Sequence, residues 1–351
     1  MQVTQTFCTA LRVLLGASQT SVLSNTAPVA VAVSGGSDSM ALLLLAQRTG
    51  VTLHAFTVDH QLRKESAEEA AWVAAQCAKR AIAHSILTPV HNEAGNNLMQ
   101  AARQWRYDAL AEACHARGIA HCLLGHHADD QLETIALAHT RGHGTYDLSQ
   151  ERCEGEAGMR ASRHYRDIQF LRPLLTLQKQ TLQDFLRNEN QPWLEDPTNT
   201  NTLFARARVR QQLAKDTALR AALTATLAQR IAARDAREAA LAEALPQCVQ
   251  HKKSGVQLSL TRWHTLTTEL QTLLLANLLR EVGGNLHRPR RAETQRLADA
   301  LRQHTHGKRT LAHCVITWKA GLASIDRELH PLKPQRTSPY NATDLPTKTA
   351  C

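Results

Sequence analysis

Aromatic residues make up only 4% of the 351 residues, so an exposed stacking platform for single-stranded bases is not expected. No stretch approaches the roughly 20 apolar residues needed to span a bilayer, and no membrane segment is expected. The apolar run from Leu11 to Leu15 is short, broken by Arg12 and without a basic leader, so a signal peptide is not expected either. The eight cysteines include no CxxC pair. That sets aside zinc and iron–sulfur spacings and fits the reduced thiols of a cytoplasmic protein. There is no GxxxxGK[ST] and no GxGxxG, which excludes a Walker loop and argues against a dinucleotide fold. Acidic residues are outnumbered, 31 Asp and Glu against 41 Lys and Arg, leaving a net charge of +10. This balance favours a polyanionic partner, and with so few aromatics a folded RNA read through its backbone and shape fits best.

The most informative stretch runs from Val29 to Ser39, VAVAVSGGSDS. Its apolar half reads as a strand buried on both faces of a parallel sheet. Two glycines interrupt it, and an apolar helix follows from Met40 to about Ala46. Strand, glycine turn and helix start together present free N–H groups and a positive dipole end to an anion. Gly35 and Gly36 allow close approach of a phosphate. Ser34, Ser37 and Ser39 add hydroxyl donors, and Asp38 offers a hard oxygen ligand for Mg²⁺.

Strands and helices then alternate. Strands are expected at 51–58, 84–90 and 121–125, with helices at 65–83 and 97–117. The expected fold is α/β, a doubly wound parallel sheet with ligands beyond the carboxyl ends of its strands. Residues 141–166 read as a loop, followed by a helix from 178 to 190. Composition divides the chain into a nucleotide-binding catalytic domain (1–215), a helical connector (216–250), a small α+β C-terminal domain (251–330) and a disordered tail (331–351). In the C-terminal domain, helices are expected at 265–282 and 291–303, with strands at 256–260, 311–318 and 322–325.

A second polar cluster, His126-His127-Ala128-Asp129-Asp130-Gln131-Leu132-Glu133-Thr134, follows the strand at 121–125. His126, Asp130 and Glu133 fall on one helical face if the helix begins at once. A histidine with two carboxylates at a nucleotide site suits phosphate positioning, metal binding or the holding of an ammonium group. Arg103 and Arg106 lie three apart on one helix. Arg206, Arg208 and Arg210 alternate with small or apolar residues in a spacing expected to align one charged face. Further basic groups, 251–253 and 287–291, lie in the C-terminal half and suit RNA contact.

SGGSDS (34–39) resembles the signature of the PP-loop ATPases. SGGSDS, VDHQLR (58–63), NLMQAARQWRY (97–107), GHHADDQLET (125–134) and WLEDPTNTNTLFARARVR (193–210) together resemble the tRNA(Ile)-lysidine synthetase family. That resemblance implies an adenine nucleotide alpha hydrolase-like fold and ATP-dependent adenylation of a wobble cytidine in tRNA(Ile) with a CAU anticodon. Free L-lysine then attacks, releasing AMP after pyrophosphate. It implies Asp38 as Mg²⁺ ligand and Ser34, Gly35, Gly36, Ser37, Asp38 and Ser39 around the ATP phosphates. It further implies Arg103 and Arg106 on the triphosphate, His126 near ATP, and Asp130 and Glu133 near lysine. A homodimer is allowed.

Three departures stand out: Met99 in place of glutamate, Ala207 in place of asparagine, and Asp147-Leu148 where a glycine-leucine pair is usual. A full second C-terminal domain, found in longer members, is not expected in this chain. Two alternatives remain open: a PP-loop tRNA thiolase, for which no cysteine pair is evident, and a non-catalytic RNA-binding homologue.

Overall fold

The computed structural model describes residues 2–16, 27–61, 65–89, 98–143, 157–195, 205–285 and 288–328. The chain divides into two compact units, Met1–Ala232 and Ala233–Cys351. The tail at 331–351 and the Asp147-Leu148 departure lie outside the described residues.

The first unit begins with α1 (Gln2–Leu14), β1 (Val29–Ala32), α2 (Ser37–Gln47), β2 (Leu53–Val58), α3 (Ser66–Ala78), β3 (Ala83–Leu87) and α4 (Leu98–His115). It continues with β4 (His121–Leu123), α5 (Ala128–His143), β5 (Ser162–Tyr165), β6 (Ile168–Leu171), α6 (Lys179–Asn188), α7 (Ala205–Lys215) and the start of α8 (Thr217–Cys248). Its six-stranded sheet has the order β3-β2-β1-β4-β6-β5. The pairs β1–β2, β2–β3, β1–β4 and β4–β6 are parallel, and β5 is antiparallel to β6.

Alternation along β1 explains why both faces are covered. Val29 and Val31 join a core with Phe7 and Leu11 of α1, Met40 and Leu42–Leu45 of α2, Val73 of α3, and Leu182 and Leu186 of α6. Ala30 belongs to the opposite face, with Phe56, Tyr107, Leu110, Cys114, Cys122 and Phe170. Helix α2 is buried nearly all round, from Ser39 to Ala46. Each of its fully buried Leu side chains contributes roughly 1.5–3 kcal/mol. Consecutive strands wind outward from β1 in one direction and from β4 in the other. The crevice between these two strands is therefore the switch point of the sheet.

Two expectations are corrected here. Helix α3 ends before 83, because Ala81 adopts φ 52° and turns the chain into β3. The segment read as loop, 141–166, contains strand β5, joined to β6 by Arg166 and Asp167 at φ 45° and 61°. Such paired positive φ values match the twist of a tight hairpin.

The second unit contains β7 (Val249–His251), β8 (Gly255–Ser259), α9 (Leu260–Trp263), α10 (Thr268–Gly283), α11 (Arg291–Gln303), β9 (His306–Leu311), β10 (Cys314–Lys319) and β11 (Leu322–Arg327). Its antiparallel sheet has the order β7-β8-β11-β10-β9. Trp263, Leu274, Leu278, Leu297, Ile316 and Ile325 fill the core beneath it. The strand expected at 311–318 is instead two strands, broken by Ala312 and His313 at φ 54° and 57°.

Candidate active site

The turn after β1 is held open by its own side chains. Ser39 Oγ accepts from the Ser34 N–H at 3.1 Å and donates to the Gly36 carbonyl at 3.0 Å. Gly35 lies at φ 88°, and a Cβ there would come within 2.7 Å of Leu194 Cδ1. Its carbonyl accepts from the Leu194 N–H at 2.9 Å. Gly36 precedes α2 in extended conformation without a side-chain cap, and a Cβ there would meet nothing nearer than 3.8 Å. The start of α2 is thus open on the side of Gly36, an anion cradle of backbone donors and helix dipole. At Gly125, after β4, a Cβ would stand 3.3 Å from the Asp38 backbone. This close approach brings the second motif against the first.

Asp38 sits between several cations. Its Oδ2 is 3.4 Å from His127 Nε2 and 3.6 Å from Lys179 Nζ, and its Oδ1 accepts from Ser37 Oγ at 3.1 Å. Burial pushes its carboxyl up, but the hydrogen bond and charge of His127, then Lys179 and Ser37, outweigh burial and hold it below the ordinary value. His127, only 2% exposed, has Asp129 and Asp130 beside it at 3.6 and 3.5 Å. Burial lowers its basicity, yet the bond to Asp38 and the three carboxylates raise it overall. Asp129 accepts from the Lys179 backbone N–H at 2.7 Å and pairs with Arg220. A single carboxylate beside an open phosphate cradle suits Mg²⁺, which usually takes one or two carboxylates and completes its shell from phosphates and water.

Helix α5 starts at Ala128, so His126 lies ahead of it and does not share a helical face with Asp130 and Glu133. Asp130 accepts from the His127 backbone N–H at 3.0 Å and keeps 17% of its side chain exposed. Glu133 is 2% exposed and receives two hydrogen bonds from Arg210, at 2.7 and 3.2 Å. On α7 the expected common face of Arg206, Arg208 and Arg210 splits. At helical spacing Arg206 and Arg210 lie together, while exposed Arg208 lines a separate open groove with Gln211, Gln212 and Lys215. Ala207 and Val209 between them are buried.

Beside His126 lies a group of arginines. The guanidinium groups of Arg103, Arg106 and Arg163 stand 5.5, 5.9 and 5.3 Å from the centre of the Tyr107 ring. Arg172, 4% exposed, donates to the Tyr107 hydroxyl at 3.3 Å and the Arg160 carbonyl at 2.7 Å. Burial and then the charges of Arg172, Arg106, Arg103 and Arg206 push His126 down to about 2. His126 is therefore neutral here, and its Nδ1 is buried without a hydrogen-bond partner, as are the Nε atoms of Arg106 and Arg172.

The structure thus brings together Ser34, Gly35, Gly36, Ser37, Asp38 and Ser39 in one turn, with His126, Asp130, Glu133, Arg103 and Arg106 gathered around the β1–β4 edge. Sequence reasoning did not single out Lys179, Arg172 or Asp129. Arg172 carried the clearest signal, a lone charge ending the apolar strand Ile168–Leu171.

Fold and cradle define a PP-loop domain, and the family profile of that description matches residues 9–217. The chain belongs to the tRNA(Ile)-lysidine synthase family. It is 36% identical over 318 residues to the tRNA(Ile)-lysidine synthase of Rhizobium meliloti, covering 87% of this chain and 68% of that one. The Hyphomonas neptunium protein of that name is 32% identical, with 90% and 86% covered. The Mesorhizobium japonicum protein is 47% identical, but over 53% of this chain and 42% of its own length. Among solved structures, a U34-tRNA thiolase from Methanococcus maripaludis shares the fold, with a TM-score of 0.51 at 16% identity, covering 66% of this chain and 77% of that one.

Proposed function

We propose that this chain joins free L-lysine to the wobble cytidine of tRNA(Ile) with a CAU anticodon, consuming ATP and releasing pyrophosphate and AMP. The observation that carries this reading is the meeting of the Gly35–Asp38 cradle with the His126–Glu133 segment at the β1–β4 edge. It occurs in a chain 36% identical to a lysidine synthase over 318 residues. A net charge of +10 suits an RNA substrate, and such a substrate suits a cytoplasmic enzyme.

The surroundings of the residues support the following roles. The N–H groups at Gly36 and the α2 dipole receive the departing pyrophosphate, and Lys179 adds a cation beside them. Asp38 would hold Mg²⁺, which when bound neutralises phosphate charge. Arg103 and Arg106 face the triphosphate. Neutral His126 offers a ring nitrogen for hydrogen bonding without adding charge. In the first step the cytosine 2-oxygen attacks the α-phosphorus and pyrophosphate leaves. In the second the lysine ε-amine attacks carbon 2, AMP leaves, and the amine gives up a proton. An ordinary lysine amine has a pKa of about 10.4, so a carboxylate must accept that proton. Asp130, with 17% of its side chain exposed, suits this task better than Glu133, which is 2% exposed and held by Arg210.

The test is incubation with ATP, Mg²⁺, labelled lysine and a CAU-anticodon tRNA(Ile) transcript, with a GAU transcript as control. Label in the CAU transcript alone is expected. TRNA-dependent AMP release without label would keep adenylation and overturn lysine as the nucleophile. The absence of both signals would overturn the enzyme reading.

A further inference from the structure

We propose that Arg163 and Arg172, set about Tyr107 beside Arg103 and Arg106, form a binding site for a phosphodiester of the RNA substrate. The proposal rests on the reading that the substrate is an RNA. Three guanidinium groups surround one ring, and a fourth holds that ring's hydroxyl from a nearly buried position. Among the described residues none of the four forms an ion pair with a carboxylate. Like charges gathered without counter-charge repel one another and lose hydration, so the arrangement calls for an anion. The unpartnered buried Nε atoms of Arg172 and Arg106 point to the same need.

The same hairpin supplies the contrast. Arg166, three residues after Arg163, is matched by Asp108 at 2.8 Å and Glu112 at 3.0 Å. Among the described residues, the partners of Arg163 are the faces of Tyr107 and Tyr165. A guanidinium against an aromatic face keeps its N–H edge available, and that edge matches two phosphate oxygens in a planar fork. Arg172, Arg106 and Arg103 act on His126, while Arg163 reaches the same Tyr107 ring from β5. With Arg103 and Arg106 given to the ATP triphosphate, Arg163 and Arg172 remain for the nucleic-acid backbone.

The decisive measurement is binding of the full-length protein to CAU and GAU tRNA transcripts over a series of salt concentrations. Arg163→Gln should weaken both transcripts alike, about five- to tenfold, and lower the slope of log K against log salt by about 0.7–1. Arg166→Gln, the matched control, should stay within about twofold of wild type. Unchanged affinity and slope for Arg163→Gln would overturn the site. A raised KM for ATP with unchanged RNA binding would overturn the RNA assignment in favour of an ATP phosphate. A wild-type protein that binds the transcripts but incorporates no lysine would fail the catalytic reading alone, and the Arg163 comparison would still decide the site.

Discussion

The Lys179 ammonium stands 3.6 Å from Oδ2 of Asp38, and its own backbone N–H donates to Asp129 at 2.7 Å. One residue at the start of α6 is thus anchored by one carboxylate of α5 and delivers its charge to a carboxylate of α2. Lys179→Met should raise the apparent KM for ATP about tenfold or more, equivalent to about 1.4 kcal/mol per tenfold. Lys179→Arg should recover most of that loss. Steady-state AMP release against ATP concentration checks it, and equal KM values for wild type and Lys179→Met would exclude the role.

The two glycines of the cradle should fail differently. Gly35→Ala places a Cβ at 2.7 Å from Leu194 in a left-handed backbone conformation, so it should lower stability by about 1–3 kcal/mol. Gly36→Ala meets no such obstruction and should unfold at the wild-type temperature, yet lose ATP affinity because a methyl group enters the anion's space. Thermal melts with and without ATP separate the two. A stabilising response to ATP in Gly36→Ala equal to wild type would count against the cradle.

Glu133 is nearly buried, and Arg210 is its charge partner with 35% of the side chain exposed. Glu133→Gln removes the negative charge of this pair at a half-buried position. A loss of about 1–3 kcal/mol is expected, below the figure for a fully buried pair. Arg210→Met together with Glu133→Gln should cost less than the sum of the single changes. Urea denaturation of the four proteins gives the coupling, and strict additivity would show the contact to be energetically idle.

His126 sets an acid limit on stability. Its folded value of about 2 lies below the ordinary 6.5, so the unfolded chain takes up a proton in that interval which the folded chain refuses. The contribution of the neutral ring is fully present above pH 6.5 and falls away as the pH drops towards 2. His126→Asn should therefore show a shallower loss of stability than wild type between about pH 7 and 5. Parallel curves from urea midpoints would contradict this protonation state.

Strand β1, the glycine turn, helix α2 and the HHxDD segment were legible because their residue types serve the local backbone and the chemistry at once. The helices at 268–283 and 291–303 were legible from their apolar period. Strands β5, β7 and β9 were not, because they are short or polar edge strands whose side chains carry little apolar alternation. At Arg206, Arg208 and Arg210 an alternating pattern was read with period two, whereas helix α7 imposes 3.6. Lys179, Arg163 and Arg172 reach the site from α6, β5 and the end of β6. Their partners are set by sheet order, which no local pattern in the chain reports.

Helix α2 is packed against protein from Ser39 to Ala46, and this has a mechanical meaning. A close-packed interior resists compression, so the end of α2 that faces the anion behaves as a fixed post. Its dipole and N–H groups meet the leaving pyrophosphate without first having to be reoriented. The same rigidity bars α2 from acting as a moving part. Whatever shifts as substrates come and go must belong to elements with a free side, such as α7 with its exposed Arg206 and Arg208.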